Sequence, residues 1–174
     1  MNEHNVLNPK TNQPFQVGED IPEKPERFLV DTINEPILLT DFPTPLKAFY
    51  MKVCFIYSFE YLLLYCFLNL SYTYSQRTAD PNYTESVDVL MPNVGEIVGG
   101  SVRIHDYDEM MLAFKQRPEM NPDALTWYAQ LREFGTVPHA GFGLGVERIL
   151  CWLCGIYHVR DACLFPRYMG RCTP

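Results

Sequence analysis

The sequence has no basic excess. Its 14 Lys and Arg face 21 Asp and Glu, a formal net charge of −7 at pH 7, whereas an autonomous nucleic-acid-binding surface normally carries the opposite balance. Any nucleic-acid substrate is therefore held by localised groups or by parts outside this chain. A complete zinc set is also missing. Of the six cysteines, Cys151 and Cys154 form a CxxC, but no second CxxC or His pair joins them, and structural zinc needs four ligands in tetrahedral reach. Cys54, Cys66, Cys151, Cys154, Cys163 and Cys172 are expected to be buried or half-buried reduced thiols. The first 26 residues are polar and Pro-rich, without the apolar stretch of a signal peptide. Both observations predict a cytoplasmic, reducing compartment. What remains is an ordinary globular balance, 47% apolar and 20% charged over 174 residues, enough for one domain with a substantial core.

The most informative residues that are present run from His139 to Arg148, HAGFGLGVER. They read as a strand that breaks into a Gly-rich turn and opens a helix. Gly141, Gly143 and Gly145 alternate, and a backbone without Cβ atoms can lie flat against a planar ligand such as a purine. Behind the turn, Val146, Ile149, Leu150 and Leu153 fall at i, i+3, i+4 and i+7, the spacing of a buried amphipathic stripe. Arg148 lies in the first helical turn, on the face leading back to the glycines. There its charge adds to the helix N-terminus, a favourable place for phosphate. An ordinary strand–turn–helix with an exposed Arg accounts for glycine spacing alone equally well.

Along the chain, residues 1–26 read as a polar loop. Asn34 to Tyr50 carries the runs PILLTDF and LKAFYM, expected as an antiparallel strand pair with a proline-limited turn. Ser86 to Leu90 and Glu96 to Ile104 form a second hairpin-like pair. Its Gly99–Gly100 predicts a bulge or a close backbone approach to a ligand. Helices are expected from Asp108 to about Arg117, capped by Asp106 or Asp108, and from Asp123 to about Phe134, stopping at Gly135. The HAGFG strand, a helix ending at Gly155 and a short strand DACLF complete the order. The expected fold class is α+β, an antiparallel sheet flanked by helices. Trp127 and Tyr128 read as core residues, and Arg160 and Arg167 as members of a solvated or salt-bridged face.

Several blocks in order carry a family resemblance. HAGFGLGVER resembles motif 3 of the class II aminoacyl-tRNA synthetases, in the subgroup for aspartate, asparagine and lysine. TESVDVLMPNVGEIVGGSVRI (Thr84 to Ile104) resembles the paired strands before that motif, and YHVRDACLFPRYMGRCTP resembles the end of the fold. GEDIPE and FLVDTINEPILLTDFP, near the start, agree. Together the blocks cover Val17 to Lys52 and Thr84 to Pro174, and are most similar to the eukaryotic and archaeal branch that handles asparagine.

The resemblance implies ATP-dependent activation of asparagine and its transfer to tRNA(Asn), with ATP as substrate and Mg²⁺ as cofactor. Activation brings two anions together, so arginines and Mg²⁺ carry most of the charge stabilisation. The resemblance assigns catalytic roles to Arg148 and Glu96, and Mg²⁺ binding to Glu96. It assigns ATP binding to Glu96, Gly143, Gly145, Val146, Glu147 and Arg148. Amino-acid binding falls to Ser101, Arg103, His139 and Gly141, with Arg103 suited to a bidentate carboxylate contact. Arg103 lies seven residues after Glu96, on the opposite face of a regular strand, so a bulge at the double glycine is expected to return both to one face. A lone His is more often structural, which lowers the rank of His139. The related aspartate enzymes place a metal-binding Ser where this chain has Gly99, a departure that favours asparagine.

Motif 1, which builds the homodimer of the full-length family, and motif 2, whose Arg grips the α-phosphate, have no counterpart here; nor does an anticodon-binding domain. The chain thus reads as residues 27–174 of a partial catalytic domain, with doubtful activity by itself. An aspartyl-tRNA synthetase or asparagine synthetase relative is the enzyme alternative, and a non-catalytic interaction module the other. No membrane partner is expected.

One segment stands outside this pattern. Val53 to Leu70, VCFIYSFEYLLLYCFLNL, has Glu60 as its only charge. It reaches the length of a marginal membrane span, but a mid-span Glu is costly. As a core element it lacks an amphipathic stripe. In relatives the strand ending near LKAFYMK runs almost directly into TESVDVLMPN. An insertion at 53–76 that begins with Val and ends with Gln is what translation of an unspliced intron between GT and AG gives, and this is the favoured reading.

Overall fold

The computed structural model describes residues 6–53, 82–117 and 121–173. Helix α1 spans Glu23–Ile33 and follows Pro22 in extended conformation. Glu23 and Glu26 sit in its first turn, where the helix dipole favours negative charge. Asn34 ends it in the left-handed region (φ 57°), with its N–H donating to the Val30 carbonyl, a C-terminal cap. The helix thus begins inside the stretch read as loop to Glu26. Pro22 at its cap and Pro25 in its first turn preset that turn rather than prevent it.

Four strands follow: β1 (Ile37–Pro43), β2 (Tyr83–Met91), β3 (Gly95–Val102) and β4 (Ala140–Leu144). They pair in sequence order, β1-β2-β3-β4, an antiparallel sheet. The β3–β4 register is set where Gly145 N–H donates to Ile97 O and Arg103 N–H donates to His139 O, both at 3.0 Å. Helices α2 (Tyr107–Lys115), α3 (Thr126–Glu133), α4 (Val146–Cys154) and the short α5 (Val159–Ala162) complete the order. The Asp106 side chain caps α2 by accepting from Glu109 N–H at 2.8 Å. α4 ends at Gly155, which takes φ 65°. The expected α+β antiparallel class is the one found.

The chain divides into two compact units. The first comprises Met1–Thr40, Val87–Gly99 and Phe142–Pro174, the second Asp41–Ser86 and Gly100–Gly141. Val30, Leu90, Met91, Ile97 and Cys151 are the buried apolar residues of the first. In the second, Ile104, Met110, Phe114 and Ala129 form the core, with Phe49 and Tyr128 packed against it. Phe49 stacks on Phe114 with centroids 4.6 Å apart.

Several expectations are corrected. PILLTDF is strand β1, but LKAFYM does not pair with it. Instead Lys52 N–H donates to Val102 O and Lys52 O accepts from Glu85 N–H, so this run bonds to the ends of β2 and β3. Pro43 caps a 3-10 turn, Thr44–Leu46, and Pro45 lies within it. DACLF is not a strand: His158 Nδ1 accepts from Arg160 N–H and starts α5 there. Trp127 is 62% exposed, although its neighbour Tyr128 packs on the core. Cys154 and Cys172 are exposed rather than half-buried, with Cys151 buried and Cys163 intermediate; all four are free thiols. Arg160 and Arg167 are exposed, as a solvated face requires. Apart from Val53, the apolar run at 53–70 lies outside the described residues.

The stripe on α4 is the largest correction. Val146, Ile149, Leu150 and Leu153 are expected to be buried, yet only Ile149 is half-buried and the other three are exposed, and Cys151 is the buried residue of the helix. Periodicity identifies an apolar face; it does not identify what lies against it.

Candidate functional site

In the first unit the site begins at the β2–β3 turn. Asn93 takes the left-handed conformation (φ 67°) and Gly95 follows at φ 87°. α1 holds this turn at both backbone groups of Asn93: Asp31 Oδ1 accepts from its N–H at 2.6 Å, and Arg27 donates to its carbonyl. Arg27 also lies over the Tyr157 ring, 5.4 Å from its centroid. The turn so fixed delivers Glu96 onto β3.

Three acidic groups gather there. A Cβ built on Gly99 would sit 2.8 Å from Glu96 Oε1 and 3.3 Å from Asp88 Oδ1, so both carboxylates reach the space that the missing side chain leaves. Glu26 approaches from α1. Burial, then repulsion by Glu96 and Asp88, raises its carboxyl from 4.5 to about 7, while Arg148 pulls the other way. Arg148 completes the corner. Its Nη1 donates to the Glu96 carbonyl, and its side chain folds over Gly145, where an added Cβ would lie 3.4 Å from Arg148 Cβ, Cγ and Cδ. Gly145 thereby lets the guanidinium turn back from α4 to β3. Val146 and Glu147 occupy the first turn of α4, and nothing lies within 4 Å of a Cβ on Gly143.

Among the described residues, no group of three or more His, Cys, Asp or Glu has the geometry of a closed metal site. Two carboxylates over an open glycine nevertheless suit Mg²⁺, which binds through one or two carboxylates and completes its octahedron with water and substrate phosphates. The pair Glu96 and Asp88 fits such an ion.

The second unit holds the other predicted residues. Arg103 Nη2 donates to Gly141 O at 3.2 Å, and its guanidinium lies 4.6 Å from the Tyr50 ring centroid. A Cβ on Gly141 would come within 3.2 Å of Nη2 and 3.3 Å of Nε. Glycine here gives the guanidinium its seat. His139 Nδ1 lies 2.9 Å from Val137 O, a contact that places the proton on Nδ1. Its Nε2 is then the acceptor facing Arg132 Nη2 at 3.5 Å. Ser101 is 1% exposed, and its Oγ has no hydrogen-bond partner among the described residues. Buried hydroxyls are normally paired, so this one is suited to a ligand. Along β3, burial alternates from Gly95 to Val98 and loses that period across Gly99–Ser101, as a departure from regular pleating at the double glycine requires.

Sequence reading placed Glu96 with Arg148, and Arg103 with Gly141. It missed Asp88, Glu26, the Arg27–Asp31 grip, Tyr50 and Arg132. Asp88 sits among alternating apolar residues of β2 and was legible as an acid on a strand beside Glu96. Arg132, 5% exposed, donates to Ile104 O and to the Tyr128 carbonyl and hydroxyl. Its signal was the i, i+4 spacing from Tyr128.

A meandering antiparallel sheet with helices, and a strand–glycine–helix element carrying an Arg in its first turn, are the features of a fold of class II synthetase type. The family model described as tRNA synthetases class II (D, K and N) matches residues 3–169, and the chain belongs to that family. The cytoplasmic asparagine–tRNA ligase of Bos taurus is 47% identical over 174 residues, all of this chain and 27% of the relative. The structure of Entamoeba histolytica asparaginyl-tRNA synthetase in complex with asparaginyl-adenylate is 47% identical, with a TM-score of 0.78, over 99% of this chain and 34% of that one. Aspartyl tRNA synthetase from the same organism reaches 27% identity and a TM-score of 0.69, over 95% of this chain and 30% of that one. The chain spans about a quarter of the length of the curated relatives it matches.

Proposed function

We propose that this chain forms the part of a cytoplasmic asparagine–tRNA ligase that contributes one side of the ATP site and much of the amino-acid pocket. In the reaction, a carboxylate oxygen of asparagine attacks the α-phosphorus of ATP. The bond to the β-phosphate bridging oxygen breaks, and pyrophosphate leaves. A ribose hydroxyl of tRNA(Asn) then attacks the adenylate carbonyl and releases AMP.

Arg148 and the start of α4 supply positive charge to the nucleotide phosphates, with Gly143 and Gly145 keeping the surface beside them open. Glu96 and Asp88 would hold Mg²⁺, which when bound would neutralise phosphate charge. Arg103, seated on Gly141 and Tyr50, receives the α-carboxylate of the amino acid, and Ser101 Oγ and His139 line the pocket. For the whole protein, the family implies a homodimer and contacts to tRNA. Among the described residues no helix is long and apolar enough to cross a membrane.

The observation that carries this reading is the convergence of Glu96, Asp88 and Arg148 around Gly99 and Gly145, in a fold matching an adenylate-bound relative. The higher identity to the asparaginyl than to the aspartyl structure supports asparagine. Titration of the chain with non-hydrolysable asparaginyl- and aspartyl-adenylate analogues, with Mg²⁺, tests both points. Tighter binding of the asparaginyl analogue, weakened at least tenfold by Arg148→Ala, is expected. Preference for the aspartyl analogue would overturn the substrate, and unchanged binding by Arg148→Ala would remove Arg148 from the site.

A further inference from the structure

Arg132, on α3, is 5% exposed and takes no part in the reaction set out above. Its guanidinium lies over the Tyr128 ring, 3.9 Å from the centroid. Nε donates to Ile104 O at 3.1 Å, Nη1 to Tyr128 O at 3.2 Å and Nη2 to the Tyr128 hydroxyl at 2.8 Å. The second Nη2 proton points to His139 Nε2, 3.5 Å away. None of these acceptors is a carboxylate. Taking a cation out of water without a counter-charge is costly, and directed hydrogen bonds offset the cost only while the guanidinium stays in one place. Held so, it is a rigid fork with fixed donor directions.

Those directions lead to Arg103. Val137 O can only accept, so His139 Nδ1, 2.9 Å from it, carries the ring proton. Arg132 Nη2 can only donate, so Nε2 is bare. One form of the imidazole meets both contacts, the neutral Nδ1–H tautomer. With both ring nitrogens engaged inside the protein, His139 contributes the place of its backbone rather than a bond to substrate. That backbone seats Arg103: His139 O accepts from Arg103 N–H at 3.0 Å, and Gly141 O accepts from Arg103 Nη2 at 3.2 Å. On the other side, Ile104, whose carbonyl Arg132 Nε holds, directly follows Arg103. The rings continue the path, since Tyr128 meets Tyr50 edge-on at 6.2 Å and Tyr50 lies 4.6 Å from the Arg103 guanidinium. We infer that Arg132 is a positioning residue for the amino-acid pocket. Through the His139 ring and Ile104 O it fixes the backbone on both sides of Arg103, and so the direction in which that guanidinium meets a carboxylate. The inference deepens the proposed role of Arg103 and rests on it; the state of the His139 ring does not.

Two readouts on the full chain test it. The first needs no ligand. Nitrogen NMR of isotope-labelled histidine, above the pH range in which imidazole titrates, should show His139 as the Nδ1–H tautomer. In Arg132→Met the bare Nε2 should move downfield as it loses its donor. The second is calorimetric titration with a non-hydrolysable asparaginyl-adenylate analogue and, separately, with ATP. Arg132→Met should weaken the analogue about tenfold and leave ATP unchanged. Tyr128→Phe, which keeps the ring and removes one anchor of Nη2, should weaken the analogue about threefold. The wild-type spectrum and Tyr128→Phe keep the test open should Arg132→Met fail to fold. An Nε2–H tautomer in the wild type, an Nε2 resonance indifferent to Arg132, analogue binding unchanged in the variants, or equal losses for the analogue and ATP would each overturn the assignment. Equal losses are what a merely structural Arg132 gives. A wild-type chain that binds neither ligand would defeat the proposed function, and the histidine spectrum would still decide whether Arg132 sets the His139 ring.

Discussion

Glu26→Gln probes the acidic corner of the first unit. Burial comes first among the causes that raise the Glu26 carboxyl from 4.5 to about 7, followed by Glu96 and Asp88, with Arg148 opposing and Glu23 adding to the rise. A carboxyl raised in the folded state holds its proton more tightly folded than unfolded. The stability it contributes is therefore complete below pH 4.5 and is lost as pH rises through about 7. At roughly 1.36 kcal/mol for each pH unit between those values, the full loss is about 3 kcal/mol. Solvent around the half-buried side chain screens part of it, which leaves an expected effect of about 1–2 kcal/mol. Glutamine keeps the shape and cannot ionise. Urea unfolding should therefore find the two proteins equally stable near pH 4.5 and the variant more stable by about 1–2 kcal/mol near pH 8.5. Millimolar Mg²⁺ should narrow the gap at high pH, because a cation among Glu26, Asp88 and Glu96 favours their ionised forms. A gap that stays constant across this range would refute the reasoning, since only titration of Glu26 makes it depend on pH.

Three further outcomes follow from the same geometry. Gly99→Ala places a Cβ 2.8 Å from Glu96 Oε1, so the carboxylate must move, and Mg²⁺-dependent ATP binding measured by calorimetry should weaken about tenfold, roughly 1.4 kcal/mol. Gly141→Ala crowds Arg103 Nη2 and Nε at 3.2 and 3.3 Å; binding of an asparaginyl-adenylate analogue should fall while binding of ATP alone is unchanged. Arg132→Met leaves the Ile104 carbonyl and the Tyr128 hydroxyl without the donors they now have, and urea unfolding should show a loss of about 2–3 kcal/mol.

The elements written by local chemistry were legible. Asp106 before an amphipathic run, Gly135 and Gly155 after helices, and alternation on both sides of Pro92–Gly95 each depend on a few neighbouring residues. Those signals mark real ends, although the helix expected from Asp123 begins at Thr126 after a 3-10 turn, Pro122–Leu125. The blocks around Glu96, Arg103 and Arg148 likewise identified the family, because residue types at set spacings survive in a linear text. The strand partner of LKAFYM was not legible. Its choice between β1 and the ends of β2 and β3 is made by hydrogen bonds between residues some 30 to 50 positions apart, which no local pattern encodes.

The site shows the same division. That Gly99, Gly141 and Gly145 are glycines is plain in the sequence, but their purpose is not. Only the folded chain shows that each leaves room for one candidate side chain: the Glu96 carboxylate, the Arg103 guanidinium and the Arg148 stem. The upward shift at Glu26 is mainly tertiary, since burial leads it and Glu96 and Asp88 are more than 60 residues away along the chain, with only Glu23 nearby in sequence. By itself the sequence determined the family, the glycine stops after α3 and α4 and the residues that carry charge. Tertiary structure decided which of those charges meet, and it turned the Leu150 and Leu153 stripe outward. Burial and electrostatic coupling depend on what lies within a few ångströms in space, and an amphipathic period states only that an apolar face exists.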